Sequence, residues 1–353
     1  MKKTLALALA LAMMLTLPAC SKNSGNSDTP STSGAVSTPS GNTASVDTYP
    51  KAGTVANFYI GGSPGSGGDL NMRTLIRYLE PEMGITIVPQ PVDGSRTIYH
   101  AVKNMVDSPA DGYTFAYQLY PSCVVERYNP NTKDNCFTFD DYYTLCNLVT
   151  DSAIIAVRAD DSRFADVNNI KDLHDYLVSS GDHLLISACS VGGDDDVTCH
   201  KIMLGIPDIA DQLTIVNGDK VSDGLTSLLG GTLDIFTGNV GDVGSLVAEG
   251  KVKVLCVFAT NRSSFFPDVA TAQECGYDII MNTSRGVVVH KDTDPAILAK
   301  ITEYVEKIVN DPTFIEDMAN QGYEVDYLNP TEYKDFLEAQ YKEFAEIAKD
   351  YGW

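Results

Sequence analysis

The sequence predicts an α/β protein of two domains, and three observations carry that prediction. Beyond about residue 50, short β-rich apolar runs alternate with stretches of helical spacing, an order that builds mostly parallel sheets covered by helices. The chain has 353 residues; without its first fifty or so, roughly three hundred remain, enough for two domains or one large one. Glycine-rich loops follow several of the strands, and in open α/β sheets ligands bind beyond the carboxyl ends of strands, where loops run into helix N-termini.

The elements follow in order. The run over 55–60 reads as a strand ending in a glycine cluster. From Asp69 the spacing of Leu70, Leu75, Ile76 and Leu79 predicts a helix that stops near Pro81. A strand at 85–88, a helix at 98–106 and a strand at 113–119 come next, the last introduced by Asp111-Gly112. Further strands are expected at 148–157, 183–187, 213–216, 233–236, 252–259 and 285–289. Helices are expected at 169–178, 296–309 and from 331 to about 348. The loops after residues 60, 88, 187, 236 and 280 are therefore the places to look for a site.

The chain starts with Lys2, Lys3 and an apolar run over 5–17, too short to span a bilayer comfortably but suited to a secretory signal. It ends in Leu17-Pro18-Ala19-Cys20, which resembles the bacterial lipobox, with Pro18 in place of the usual small residue. That resemblance implies a signal peptide over 1–20 and lipidation of Cys20. Residues 21–52 hold no aromatic before Tyr49 and almost no aliphatic side chains. Such a segment has too little apolar surface to offset the entropy of ordering it and reads as a flexible Ser/Thr/Gly-rich tether.

Asp and Glu total 47 against 25 Lys and Arg, a formal charge of −22. No basic patch is present, which argues against nucleic-acid binding, and acidity of this kind serves solubility. Of eight cysteines, seven lie beyond Cys20. They form no CxxC and no zinc-finger spacing. Several sit in apolar runs as small core residues, and one disulfide, Cys123–Cys136 or Cys189–Cys199, remains open. No cofactor or metal is expected.

The most informative stretch is Gly61-Gly62-Ser63-Pro64-Gly65-Ser66-Gly67-Gly68-Asp69, with five glycines in its first eight residues. Such a loop turns tightly and lets backbone approach a ligand, and the helix behind it offers free N–H groups and a positive dipole end to an anion. It is no P-loop, lacking Gly-Lys-Ser/Thr, and Leu70 breaks the dinucleotide-binding glycine pattern. Gly61-Gly62-Ser63-Pro64-Gly65 matches the hydrolase nucleophile elbow. The residue after the serine should donate an N–H to the oxyanion, and Pro64 has none. Losing one such donor costs about 10²–10³ in rate, so the sequence argues against an enzyme.

The chain resembles the substrate-binding proteins of tripartite tricarboxylate transporters, the Bug family. Pro64 to Arg73 (PGSGGDLNMR) is similar to the family's P-G-G-G-x-D-x-x-A-R, and Asp93-Gly94-Ser95-Arg96 to its R-P-G-A-G-G. Pro109-Ala110-Asp111-Gly112-Tyr113-Thr114 nearly repeats the P-D-G-Y-T hallmark. Leu228 to Asp234, Arg262 with Phe266 to Thr271, and Gly286 with Pro295 follow in the family's order. The resemblance implies a periplasmic-binding-protein-like fold of the Venus-flytrap kind (type II), with two α/β domains and a ligand cleft between them. Domain 1 is expected at 53–145 and 272–353, and domain 2 at 146–271. With the lipobox it implies an extracytoplasmic protein, anchored by lipid through Cys20 and acting as a monomer. Its role would be to capture a small carboxylate for large and small integral-membrane transporter subunits. A ligand-sensing adaptor of the same fold, or a binder of an amino acid, is the alternative.

By the same resemblance the ligand residues are Ser63, Gly65, Ser66, Gly67, Asp69, Gly94, Ser95 and Arg96 from domain 1, with Asp69 expected to cap its helix rather than touch an anion. Domain 2 contributes Ser190, Gly192, Gly193, His200 and Asn239. His200 has a structural role as its alternative. Arg285, just before Gly286, is a carboxylate-binding candidate, with a surface ion pair as the plain alternative. The chain departs from the family at Asp194-Asp195-Asp196, where three carboxylates would repel a nearby carboxylate. Solvent exposure of the three is the favoured reading. An ammonium group on the ligand is the second, and calcium is disfavoured because the acids are consecutive. Val216 to Lys220 replaces the family's P-Y-K-G segment.

Overall fold

The computed structural model describes residues 48–62, 64–218 and 220–353. The signal segment, Cys20, most of the tether, Ser63 and Asp219 lie outside the described residues. In chain order the first elements are β1 (Val55–Gly61), α1 (Gly67–Met83), β2 (Thr86–Val92), α2 (Thr97–Val106), β3 (Thr114–Tyr120), α3 (Ser122–Tyr128) and β4 (Tyr142–Arg158). Then come α4 (Ile170–Ser180), β5 (Leu184–Ala188), α5 (Asp194–Gly205), β6 (Leu213–Asn217), α6 (Val221–Leu229), β7 (Ile235–Asn239), α7 (Val240–Ala248) and β8 (Val252–Val257). The chain closes with β9 (Asn282–His290), α8 (Pro295–Val309), α9 (Pro312–Ala319), β10 (Val325–Leu328) and α10 (Pro330–Asp350).

The strands join in the order β2-β1-β3-β9-β4-β7-β5-β6, with β8 and β10 also on β4. At the two ends the neighbours are parallel, β1 with β2 and β3, β5 with β6 and β7. In the middle they are antiparallel, because β9 and β4 run against everything they touch. The expectation of mostly parallel sheets therefore fails in the centre. The cause is β4: seventeen residues long, it pairs with β9 through Ser152, with β7 from Ala153 and with β8 from Ile154. One strand thus belongs to both halves of the sheet, and α10 crosses both, packing on α3, β4 and α5.

Local chemistry explains the elements. β2 carries Pro89 and Pro91, which a central strand would not tolerate, and it sits at the sheet edge, where a missing donor costs nothing. Helix α1 does not stop at Pro81 but runs to Met83, ending at Gly84 in the left-handed region (φ 64). Proline removes one backbone bond, and the helix terminates within that last turn. Apolar residues of α1 (Met72, Leu75, Leu79) pack with Phe58, Ile87, Val287 and Phe314 into one core. A second core runs from Val102 and Tyr120 through Ile155 to Ile186 and Val197, joining the lobes. A third lies under Phe236, Val243 and Val254. Helix α9 and strand β10 have no counterpart in the sequence reading. The seven cysteines after Cys20 are all free. Among the described residues no helix is long and apolar enough to cross a membrane.

Candidate functional site

The first glycine loop turns through Gly62 (φ 109) and Gly65 (φ 80) to present the N-terminus of α1. Ser66 caps the helix by accepting from the Asp69 N–H at 3.4 Å. Asp69 is buried; one oxygen accepts the Gly65 N–H at 2.9 Å and the other pairs with Arg73 at 2.7 Å. Its carboxylate holds the loop's shape and is not free for a ligand. Gly67 and Gly68 then lie so close to the centre that side chains are excluded. A Cβ at Gly67 would fall 2.5 Å from the Tyr323 hydroxyl and 3.1 Å from Arg285 Nη2, and one at Gly68 would fall 2.7 Å from the Tyr117 ring.

Arg285 is the hub of this arrangement. It lies on β9 two residues from Thr283, so the period of a strand puts both on one face. Its Nη1 lies 3.1 Å from Asp151 Oδ2 on the adjacent β4 and 3.4 Å from Asn71 Oδ1 of α1. Its guanidinium stacks 4.8 Å over the Tyr323 ring. Thr283 Oγ1 donates to Asp194 Oδ2 at 2.8 Å, and the Asn239 amide donates to the same oxygen at 2.8 Å. From the second lobe, α5 and α7 therefore bring their N-termini to the same strand face that α1 reaches from the first. Asn239 caps α7 with Asp242 in a reciprocal capping box. Gly241 in the first turn of α7 packs against Tyr323.

The electrostatics are unusual in sign. Asp151 and Asp195 are buried and Asp242 is half-buried around Arg285 and the two helix starts. Burial raises the Asp151 carboxyl, and Arg285 pulls it back. Asp242 is pushed up to about 7, by burial first and then by Asp151 and Asp194. Burial and the neighbouring aspartates raise Asp195 well above the usual carboxylate range. Burial works against the Arg285 charge, but Asp151 and its other neighbours more than offset it and hold the guanidinium charged.

Several expected residues lie elsewhere. Arg96, in the left-handed region (φ 50), turns its guanidinium to Glu126 of α3 through bonds of 3.1 and 3.2 Å and stacks on Tyr99. It is thus occupied by an ion pair away from Arg285. His200 bonds Asp350 through Nδ1 at 2.5 Å and packs on Tyr351, so it ties α5 to α10 and has the structural role. Gly94, Ser95 and Ser190 are exposed, and the Ser190 carbonyl accepts the Gly193 N–H at 2.8 Å. Gly192 donates to Asp196, which also accepts from Tyr351 at 2.5 Å. The aspartate run does not face solvent: Asp195 is 2% and Asp196 1% exposed. The helix start faces inward because α10 and the α7 N-terminus cover it.

Asp151, Asp242, Thr283, Tyr117 and Tyr323 were not singled out by the sequence reading. Only Asp151 left a trace there, as an acid inside the apolar run 148–157. An open cavity of about 360 Å³ adjoins Asp151, lined among others by Ser152, Asn261, Arg262, Asn282 and Glu324. None of the glycine loops lines it, and its one arginine, Arg262, is paired with Glu274. The convergence at Arg285 is the better site.

Residues 84–353 match the model of the tripartite tricarboxylate transporter family receptor. This chain belongs to that family. The receptor is 26% identical over 315 residues to the UPF0065 protein in the gbd 5′ region of Cupriavidus necator, covering 87% of this chain and 90% of that one. Its fold matches MatC from Rhodopseudomonas palustris with bound malate (TM-score 0.68, 17% identity, 85% of this chain and 100% of that one). It also matches a second R. palustris protein, with adipate (TM-score 0.68, 18% identity, 86% and 98%). The receptor accordingly has the two-lobed α/β fold of extracytoplasmic solute-binding proteins. The family is one of binding proteins, not of enzymes.

Proposed function

We propose that the receptor captures a small organic acid, a di- or tricarboxylate or a related carboxylate, in the cleft between its lobes. The lobes are residues 53–145 with 272–353, and 146–271. The observation that carries this is the meeting of the α1 N-terminus with the Arg285 guanidinium, whose Nη2 lies against Gly67. Helix N–H groups and a guanidinium are both anion donors, and inside a closed cleft each is worth more than in water. Gly65, Ser66 and Gly67 supply backbone from the first lobe, with Ser63 in the same loop. Gly193 and Asn239 close from the second. Malate and adipate in the two solved relatives support an acid as ligand. Family membership supports delivery to large and small membrane subunits of a tripartite transporter. Lipidation at Cys20, behind a signal segment 1–20 and before the tether 21–52, would hold the protein at the membrane as a monomer.

Thermal unfolding against a panel of organic acids tests the reading. A ligand at a hundred times its Kd adds about 2.7 kcal/mol to stability. A selective rise in Tm with one class of carboxylate is expected; a flat panel on a protein shown ligand-free by native mass spectrometry would contradict it.

A further inference from the structure

The three consecutive aspartates at the start of α5 are not equivalent. Asp194 accepts from Asn239 and Thr283. Asp196 accepts from Gly192 and Tyr351. Asp195, between them, is 2% exposed and its carboxyl makes no hydrogen bond and no ion pair among the described residues. A carboxyl so nearly enclosed without a partner is costly and rare and calls for an explanation; its oxygens keep a trace of exposure, since they are not among the fully enclosed unpartnered atoms. The charged groups acting on it are the carboxyls of Asp194, Asp242, Asp196 and Asp151, and its neighbour Asp194 bonds Asn239 at the start of α7, so Asp195 sits where the α5 and α7 N-termini meet. Asp242 already receives the Asn239 N–H and Asp151 already faces Arg285. The side of the cleft opposite the α1 N-terminus is thus short of positive charge. No group of three or more His, Cys, Asp or Glu among the described residues is arranged to hold a metal ion.

We infer that Asp195, backed by Asp242, receives an ammonium group of the ligand, so that the captured acid is an amino-bearing one. This rests on the carboxylate reading above and adds a direction to it. The carboxylate lies toward the α1 N-terminus and Arg285, the ammonium toward the α5 and α7 N-termini. A simple dicarboxylate would put a second negative charge against Asp194, Asp195 and Asp242, where like charges repel. An ammonium removes that repulsion and supplies the missing donors. Burial and the surrounding aspartates keep Asp195 and Asp242 protonated to higher pH than usual in the empty cleft. Binding an ammonium therefore releases protons. The other groups bearing on this site are Arg285 on β9, Cys189 after β5 and Asp151 on β4.

The test is calorimetric titration of the receptor with matched pairs: L-glutamate against glutarate, L-aspartate against succinate, and 4-aminobutyrate against butyrate. At pH 8 the amino-bearing member of at least one pair is expected to bind ten times tighter or more. Its affinity should rise from pH 5.5 to 8, and its binding enthalpy should differ between phosphate and Tris as protons are released. Asp195→Asn should abolish the preference and, by removing an unpartnered carboxyl, raise the Tm of the empty protein. Asp242→Asn should weaken the preference and serves as the second variant. If the plain acids bind as tightly as their amino-bearing partners, or Asp195→Asn keeps the preference, the ammonium site is wrong while acid capture stands. If neither series binds, acid capture itself falls.

Discussion

Arg285 and Asp151 face each other at 3.1 Å across β9 and β4, with side chains only 9% and 4% exposed. They lie where β4 is shared by both halves of the sheet, and Arg285 is the one buried arginine among the described residues. An ion pair this deep gains little over apolar packing, but breaking it leaves a bare charge. Asp151→Asn is expected to lower stability by about 3–5 kcal/mol, read by urea unfolding at pH 7. Asp151→Leu with Arg285→Met should recover most of that loss while abolishing acid binding.

The packing of Gly68 on Tyr117 gives a second prediction. A methyl group there would meet the ring at 2.7 Å, and overpacking costs about 1–3 kcal/mol. Gly68→Ala should lower the Tm and weaken acid binding together, because the α1 N-terminus must retreat. A shift in Tm with unchanged affinity would separate the helix start from the ligand.

Stability should depend on pH in an uncommon direction. Asp242 has a pKa of about 7 in the folded protein, against about 3.9 when unfolded. Between those values the folded state holds a proton that the unfolded state lacks, so stability falls as pH rises. The slope for this group is about 1.4 kcal/mol per pH unit, ending near pH 7. Asp195, also raised, acts with the same sign. Urea unfolding from pH 5 to 8 should show the decline, and Asp242→Asn, which can still accept from the Asn239 N–H, should flatten it.

His200 gives the opposite kind of prediction. Its bond to Asp350 is partly exposed, a contact worth roughly 1 kcal/mol or less. His200→Gln should lower Tm by a few degrees and leave acid affinity within about twofold. A tenfold loss of affinity would put the histidine back in the cleft.

Much of the fold was legible because it follows local rules. The helices expected at 169–178 and 296–309 form as α4 and α8, started by Asn169 and by Asp294 with Pro295. What escaped depends on distant contacts. Nothing local marks β4 as shared between lobes, so the antiparallel centre was missed. Arg96 and Arg285 look alike in sequence; only Glu126 beside one and Asp151 beside the other tell them apart. The aspartate run reads as a solvated helix start until α10 and α7 are seen to cover it. Asp69 was expected to cap α1; Ser66 takes that place, and Asp69 instead accepts from Gly65 and pairs with Arg73.

Calorimetric titration of small carboxylates into the wild type and the Asp151→Leu/Arg285→Met variant tests the account most directly. At least one acid should bind the wild type and lose a hundredfold or more in the variant, with both proteins folded. No binding to a ligand-free wild type, or equal binding by the variant, would contradict a cleft built on Arg285.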